Sequence, residues 1–200
     1  MIRISTLKQL VLLSRALISG QPTLRLFPRC LRIRIGTEAV AARPTADSII
    51  VHTEIRNVLL AVRNLIELVL DVPSSITLKL LNDCPPESMK FRLKHFSYAL
   101  NSRNYSELLK FLSCQSRLEE LVCIDLEARH SFPHPEVAPA ESSLLPQLKS
   151  LTAGAEIILR VVPGRPVSKI HIEEWIYPQI ASSVISAISR TTVPLVHLSI

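Results

Sequence analysis

The sequence predicts an α/β fold: a solenoid with a parallel strand face and helices on the other side. Three observations carry this expectation. A Leu-x-x-Leu-x-Leu pattern recurs along the chain. Between its copies lie apolar stripes at helical spacing, and turn-forming residues separate the two kinds of segment. A unit of this sort cannot bury its own apolar side, so neighbouring units must stack to share a core.

The copies are Leu65-Ile-Glu-Leu68-Val-Leu70, Leu93-Lys-His-Phe96-Ser-Tyr98 and Leu118-Glu-Glu-Leu121-Val-Cys123, then Leu148-Lys-Ser-Leu151-Thr-Ala153, Val167-Ser-Lys-Ile170-His-Ile172 and Leu195-Val-His-Leu198-Ser-Ile200. Their first positions are 28, 25, 30, 19 and 28 residues apart. A leucine-rich repeat has a period of roughly 20–29 residues. The consensus also wants Asn or Cys eight positions after the first Leu. Asn101 stands there in one copy, but Pro73, Leu126, Glu156 and Trp175 stand there in others. The expectation is therefore a degenerate leucine-rich-repeat solenoid without an asparagine ladder.

The elements follow in order. Ser5 to Ile18 places Leu7, Leu10, Val11, Ser14 and Leu17 near one helix face, and Gly20-Gln-Pro22 ends it. Leu31-Arg-Ile33-Arg-Ile35 alternates as a half-buried strand does. Residues 36–48 are small and polar and read as a loop. Ile55–Val62 is a helix before the strand Leu65–Leu70. Ile76–Leu81 is a short helix closed by Pro85-Pro86, and the strand Phe91–Leu100 follows. Ser106 is the expected N-cap of a helix whose apolar side is Leu108, Leu109, Phe111 and Leu112. Arg117–Leu126 is the next strand.

Pro133, Pro135, Pro139 and Pro146 make residues 131–146 an inserted loop. Beyond it come the strand Gln147–Ala153, the helix Ala155–Val162, a turn over 162–166 and the strand Val167–Ile172. Pro178 suits a helix start, and Ile180, Val184, Ile185 and Ile188 give the stripe behind it. Val193–Ile200 is the last strand.

In each copy the second and third apolar residues are two apart, so a strand points both inward. The residues between and before them point outward on the shared strand face. The candidate protein-binding residues are therefore Glu67, Val69, His95, Ser97, Glu120, Val122, Ser150, Thr152, Lys169 and His171.

Charge is unevenly spread. Residues 1–36 hold Arg3, Lys8, Arg15, Arg25, Arg29, Arg32 and Arg34 and no acid; residues 37–200 hold 16 basic and 17 acidic side chains. The repeats are thus nearly neutral and offer no general nucleic-acid surface. No apolar run approaches the roughly 18 residues of a membrane span. The basic, serine-containing, acid-free start reads as helix plus strand; a mitochondrial transit peptide is the alternative. Its apolar core around Leu10–Leu13 is too short for a secretory signal. Cys30, Cys84, Cys114 and Cys123 form no CxxC and read as reduced thiols of a cytoplasmic or nuclear protein.

Reaction chemistry finds little support. Gly20, Gly36, Gly154 and Gly164 make no phosphate-binding loop, and Gly164 reads as a turn residue needing positive φ. His130 and His134 have zinc-like spacing, but Cys114 and Cys123 are too far apart for a finger. Glu173 and Glu174 are adjacent and so cannot share a strand face for acid–base work. Ser182, Ser183 and Ser186 lack a GxSxG elbow and suit the polar side of a helix. Trp175 and Tyr177 could anchor a partner, or cap the neighbouring repeat. No enzyme, metal or cofactor is expected.

The pieces Val62-Arg-Asn-Leu65-Ile-Glu-Leu68, Leu109-Lys-Phe-Leu112, Leu145-Pro-Gln-Leu148-Lys-Ser-Leu151-Thr-Ala153 and Val161-Val-Pro-Gly164-Arg-Pro166-Val167 resemble the degenerate repeats of fungal, mushroom-type F-box proteins. Leu7-Lys-Gln-Leu10-Val-Leu-Leu-Ser14-Arg15-Ala-Leu17 resembles the last helix of an F-box, and Arg25-Leu-Phe27-Pro-Arg-Cys-Leu31-Arg-Ile33 the segment after it. The resemblance implies an F-box-like remnant over 1–36, a linker over 37–48 and a repeat domain over 49–200. It implies a ubiquitin-ligase substrate receptor whose repeats capture a protein. The Leu-Pro opening of an F-box does not precede Leu7, and the last strand runs to Ile200 without a polar cap, so the expectation is a chain partial at both ends and truncated within the F-box at its start, which argues against binding a Skp1-type adaptor.

Overall fold

The structure is a computed structural model that describes residues 1–35, 46–73, 76, 80–81, 83, 88–100, 105–125, 144–173 and 176–199. Eight strands form one parallel sheet in chain order: β1 (Ile2–Ile4), β2 (Cys30–Arg34), β3 (Glu67–Asp71), β4 (His95–Leu100), β5 (Glu120–Asp125), β6 (Ser150–Ala153), β7 (Lys169–Ile172) and β8 (His197–Ser199). Among the described residues each strand pairs only with its neighbours in sequence, so the sheet is open, with β1 and β8 outermost. Helices α1 (Leu7–Ser19), α2 (Ala46–Ala61), α3 (Tyr105–Ser113), α4 (Ala155–Val161) and α5 (Pro178–Ser189) lie in the connections.

The core follows from alternation. Leu31, Leu68, Phe96, Leu121, Leu151 and Ile170 are aligned across neighbouring strands, and each is at most 1% exposed. A second inward ladder runs Ile33, Leu70, Tyr98, Cys123, Ala153 and Ile172. These rows pack with the helix stripes Ile55, Val58, Leu59, Leu108, Phe111, Leu112, Ile157, Ile158 and Val184. Phe96 is the aromatic hub, its ring centroid 5.0 Å from Phe111 and 5.6 Å from Tyr98. The other face of β3 stays half-exposed, in the repeating order expected of a sheet covered on one side.

The repeated strands begin two to four residues later than predicted, each two residues after the first apolar position of its pattern. The first apolar position (Leu65, Leu93, Leu118, Leu148 and Val167) is buried but precedes the strand. The reason is a backbone spine: one carbonyl per unit accepts two successive N–H groups of the next. Arg29 O takes Ile66 and Glu67, Ile66 O takes Lys94 and His95, and Lys94 O takes Glu119 and Glu120. Glu119 O takes Lys149 and Ser150, Lys149 O takes Ser168 and Lys169, and Ser168 O takes Val196 and His197, all within 2.7–3.1 Å. This shared acceptor turns the chain into the strand and holds the first apolar residue against the core.

Other expectations are corrected or extended. β1 was not anticipated, and it adds an edge strand beside β2. α2 starts at Ala46, so residues 46–48 of the expected linker are helical, with Asp47 in the first turn where the helix dipole favours an acid. Ser106 does not cap α3. The helix already begins at Tyr105, and Ser106 Oγ donates to Glu107 Oε2 at 2.7 Å. Within the expected helix Ile76–Leu81, Ile76, Leu80 and Leu81 are helical and buried. The proline-rich stretch 131–143, His130, His134, Cys84, Asn101, Trp175 and Glu174 lie outside the described residues.

Caps and turns set the ends. Thr6 Oγ1 accepts from Gln9 N at 3.2 Å, and Arg25 donates to the Leu17 and Ile18 carbonyls at 2.9 and 3.0 Å, closing α1 at both ends. Pro178 takes the first turn of α5, where its missing N–H costs nothing. Gly164 has φ +76°, as the turn over 162–166 requires. Beside it, Arg165 is buried, donating from Nε to Leu144 O at 2.7 Å and from Nη1 to Pro163 O at 2.6 Å.

Candidate functional site

All ten candidate residues fall on the open strand face, in two aligned rows. One row reads Cys30, Glu67, His95, Glu120, Ser150, Lys169 and His197. The other reads Arg3, Arg32, Val69, Ser97, Val122, Thr152, His171 and Ser199. A shallow groove of about 410 Å³ crosses β2 to β5, and Arg32, Glu67, Val69, His95, Ser97, Glu120 and Val122 line it.

Charge on this face is paired across strands. Arg32 Nε and Nη2 both donate to Glu67 Oε1, at 3.0 and 2.7 Å. That hydrogen bond holds the Glu67 carboxyl below the usual carboxylate range and raises the Arg32 guanidinium. Burial, then a hydrogen bond to Glu67, pushes the neighbouring Cys30 thiol up. His95 Nδ1 lies 2.9 Å from Glu120 Oε2. His171 Nδ1 lies 2.7 Å from Ser199 Oγ, and its Nε2 lies 3.4 Å from Glu173 Oε1. Arg34 pairs with Asp71 at the far end of β2 and β3.

The sequence reading missed five members of the two rows, Arg3, Cys30, Arg32, His197 and Ser199, and Glu119 beside them. Arg32 and Cys30 belong to the rows, but Pro28 stands where a first leucine would mark the unit. Their signal was the alternation of Leu31-Arg-Ile33-Arg-Ile35. Just before the strands, Glu119 sits between Lys94 and Lys149, with each Nζ 2.9 Å from one of its oxygens. Hydrogen bonds from Lys94 and then Lys149 lower the Glu119 carboxyl to about 2. Tyr177 packs partly buried against the core, while Ser182, Ser183 and Ser186 are exposed on α5.

Exposed ion pairs contribute only about 0–1 kcal/mol each, so these pairs shape the face more than they stabilise it. His95 faces the Glu120 carboxylate across the strands. Among the described residues, no group of three His, Cys, Asp or Glu side chains is placed to hold a metal ion. None of the described helices is long and apolar enough to cross a membrane.

Among the described residues, the chain is an α/β protein with one open parallel sheet whose second face carries these rows. Comparison with family models, curated proteins and solved structures finds no match to the chain.

Proposed function

We propose that the chain is a protein–protein interaction module that binds its partner across the open strand face. It reads best as a degenerate leucine-rich-repeat solenoid, similar to the substrate-recognition part of an F-box ubiquitin-ligase receptor. One observation supports the reading: two rows of outward residues run in register over the sheet. Glu67, His95, Glu120, Lys169 and His171 supply polar contacts, while Val69, Ser97, Val122 and Thr152 leave a low strip for a partner to approach. Because Glu67 is already neutralised by Arg32, attraction at long range is weak. Recognition then rests on shape and on particular contacts.

Charged substitutions on the strip test this directly. Ser97→Arg and Val122→Arg together should abolish capture of a partner that wild type retains, while Ser182→Arg on α5 should not. A partner held equally by all three chains would end the strand-face reading. Titration with a purified Skp1-type adaptor separates the two versions of the proposal. Binding that is lost on altering residues 1–36 supports the receptor; no binding leaves a repeat scaffold unconnected to ubiquitin. Cleavage of the N-terminus inside mitochondria would instead favour the organellar alternative.

A further inference from the structure

The near neutrality of residues 37–200 conceals a segregation of charge along the strands. The described residues leading directly into β2, β3, β4, β5 and β6 are 20–29, 62–66, 88–94, 114–119 and 144–149. Arg29, Arg63, Arg92, Lys94, Arg117 and Lys149 stand exposed in these segments, and Glu119 is their only acid. The other ends of the strands carry acid instead. β3 ends on Asp71, β5 ends on Asp125, and Glu173 follows β7. Arg34, at the end of β2, is paired with Asp71.

The backbone spine draws these cations into a line. Arg29, Ile66, Lys94, Glu119 and Lys149 are joined in succession by backbone hydrogen bonds of 2.8–2.9 Å. At about 4.8 Å per strand, four steps span about 19 Å. Arg92 and Arg117 stand two residues before the line, each separated from it by a buried leucine, Leu93 or Leu118. Among the described residues, Arg29, Arg63 and Arg117 enter no ion pair. Lys94 and Lys149 share the one carboxylate of Glu119, which holds both ammonium groups in place and leaves positive charge in surplus.

The width of this positive region decides what fits it. Glu67 and Glu120 stand one residue further along β3 and β5, so the region is a narrow strip. A membrane surface or a nucleic-acid duplex is broad and would press phosphates onto these two carboxylates. A single extended chain fits beside them. Single-stranded nucleic acid stacks its bases on aromatic rings. In these segments Phe27 alone exposes one, since Phe91 is buried. We infer that the edge where β2 to β6 begin is a docking strip for an acidic segment of a protein partner, rich in Asp and Glu. About six extended residues cover its 19 Å, at about 3.3 Å each. The strip lies outside the ten strand-face residues, so either reading can fail alone.

Fluorescence anisotropy of a labelled oligoglutamate peptide, titrated with the full chain, tests the inference. Wild type should bind the peptide, and raising salt from about 50 to 500 mM should remove most of the binding, because exposed charges are screened. Arg63→Glu with Arg117→Glu alters two exposed side chains that hold no ion pair, so the thermal midpoint should stay at the wild-type value. This pair should weaken peptide binding about 10-fold or more, through like-charge repulsion. Lys8→Glu with Lys110→Glu removes the same net charge from exposed helix positions and should leave binding near wild type. Ser97→Arg with Val122→Arg should not weaken it, which separates the strip from the strand face. A wild-type chain that does not bind the peptide overturns the inference. So does equal loss in the two charge-reversal pairs, or a single-stranded RNA of equal length that binds wild type more tightly than the peptide.

Discussion

Lys94 holds Glu119 twice: its carbonyl oxygen accepts the Glu119 N–H at 2.9 Å, and its ammonium reaches the Glu119 carboxylate at 2.9 Å. The first bond belongs to the backbone spine that joins every unit to the next. The second belongs to the side chains and is extended by Lys149. Main-chain geometry thus brings residues 25 positions apart into one place, and charge is then added to it.

The Glu119 carboxyl is lowered from an ordinary 4.5 to about 2 by its two lysine partners. A folded-state value below the unfolded one stabilises the fold above pH 4.5, and that contribution is lost as pH falls from 4.5 toward 2. Glu119→Gln should therefore flatten the fall of thermal midpoint across this window and change little of its slope above it. An unaltered acid limb in the variant would show that the pairing does not act on stability.

Position along the inner ladder should set the cost of truncation. Leu121 is fully buried in mid-sheet, so Leu121→Ala should cost about 2–5 kcal/mol in denaturant unfolding. Leu198 is 48% exposed, so Leu198→Ala should cost about 1 kcal/mol or less. Equal losses would contradict this difference in burial.

Arg165 is 1% exposed and ties the turn over 162–166 to the Leu144 carbonyl. Burial lowers its guanidinium pKa, but Nε and Nη1 each retain a short hydrogen bond. Lysine has no planar fork to serve two acceptors in different directions. Arg165→Lys should lose about 1–3 kcal/mol, the usual cost of a stranded buried polar group. Denaturation midpoints that match wild type would show that the fork is dispensable.

Cys123 is buried in the second inward ladder, and burial pushes its thiol up to about 12. A thiol so rarely ionised is a poor nucleophile. A pulse of iodoacetamide at mildly alkaline pH should modify Cys114, which is partly exposed, and spare Cys123 until the chain unfolds. Peptide mass spectrometry reads both sites in one sample, and equal modification would rule out the burial of Cys123.

Much of the sheet was legible because its signal is local. Leu68 and Leu70 are two apart, so their common inward direction follows from strand geometry alone. The same rule placed Glu67 and Val69 outward, and likewise the other eight candidates. Helix α5 was legible from Pro178 and the stripe Ile180, Val184 and Ile188. Strand starts were misjudged because Leu93 and Leu118 look like strand residues. Only the carbonyl of a previous unit, 25 or more residues away, shows that they stand before the strand. β1 escaped notice because three residues carry too little periodicity to separate from a loop.

Sequence alone determined which side chains could face the core, since alternation and helical spacing are properties of neighbouring residues. It also determined that the repeats are nearly neutral while the first 36 residues are basic. Tertiary structure alone decided that Arg32 meets Glu67 and that His95 meets Glu120. The reason is physical: pairing across strands depends on where intervening helices and loops return the chain, and no local pattern encodes that.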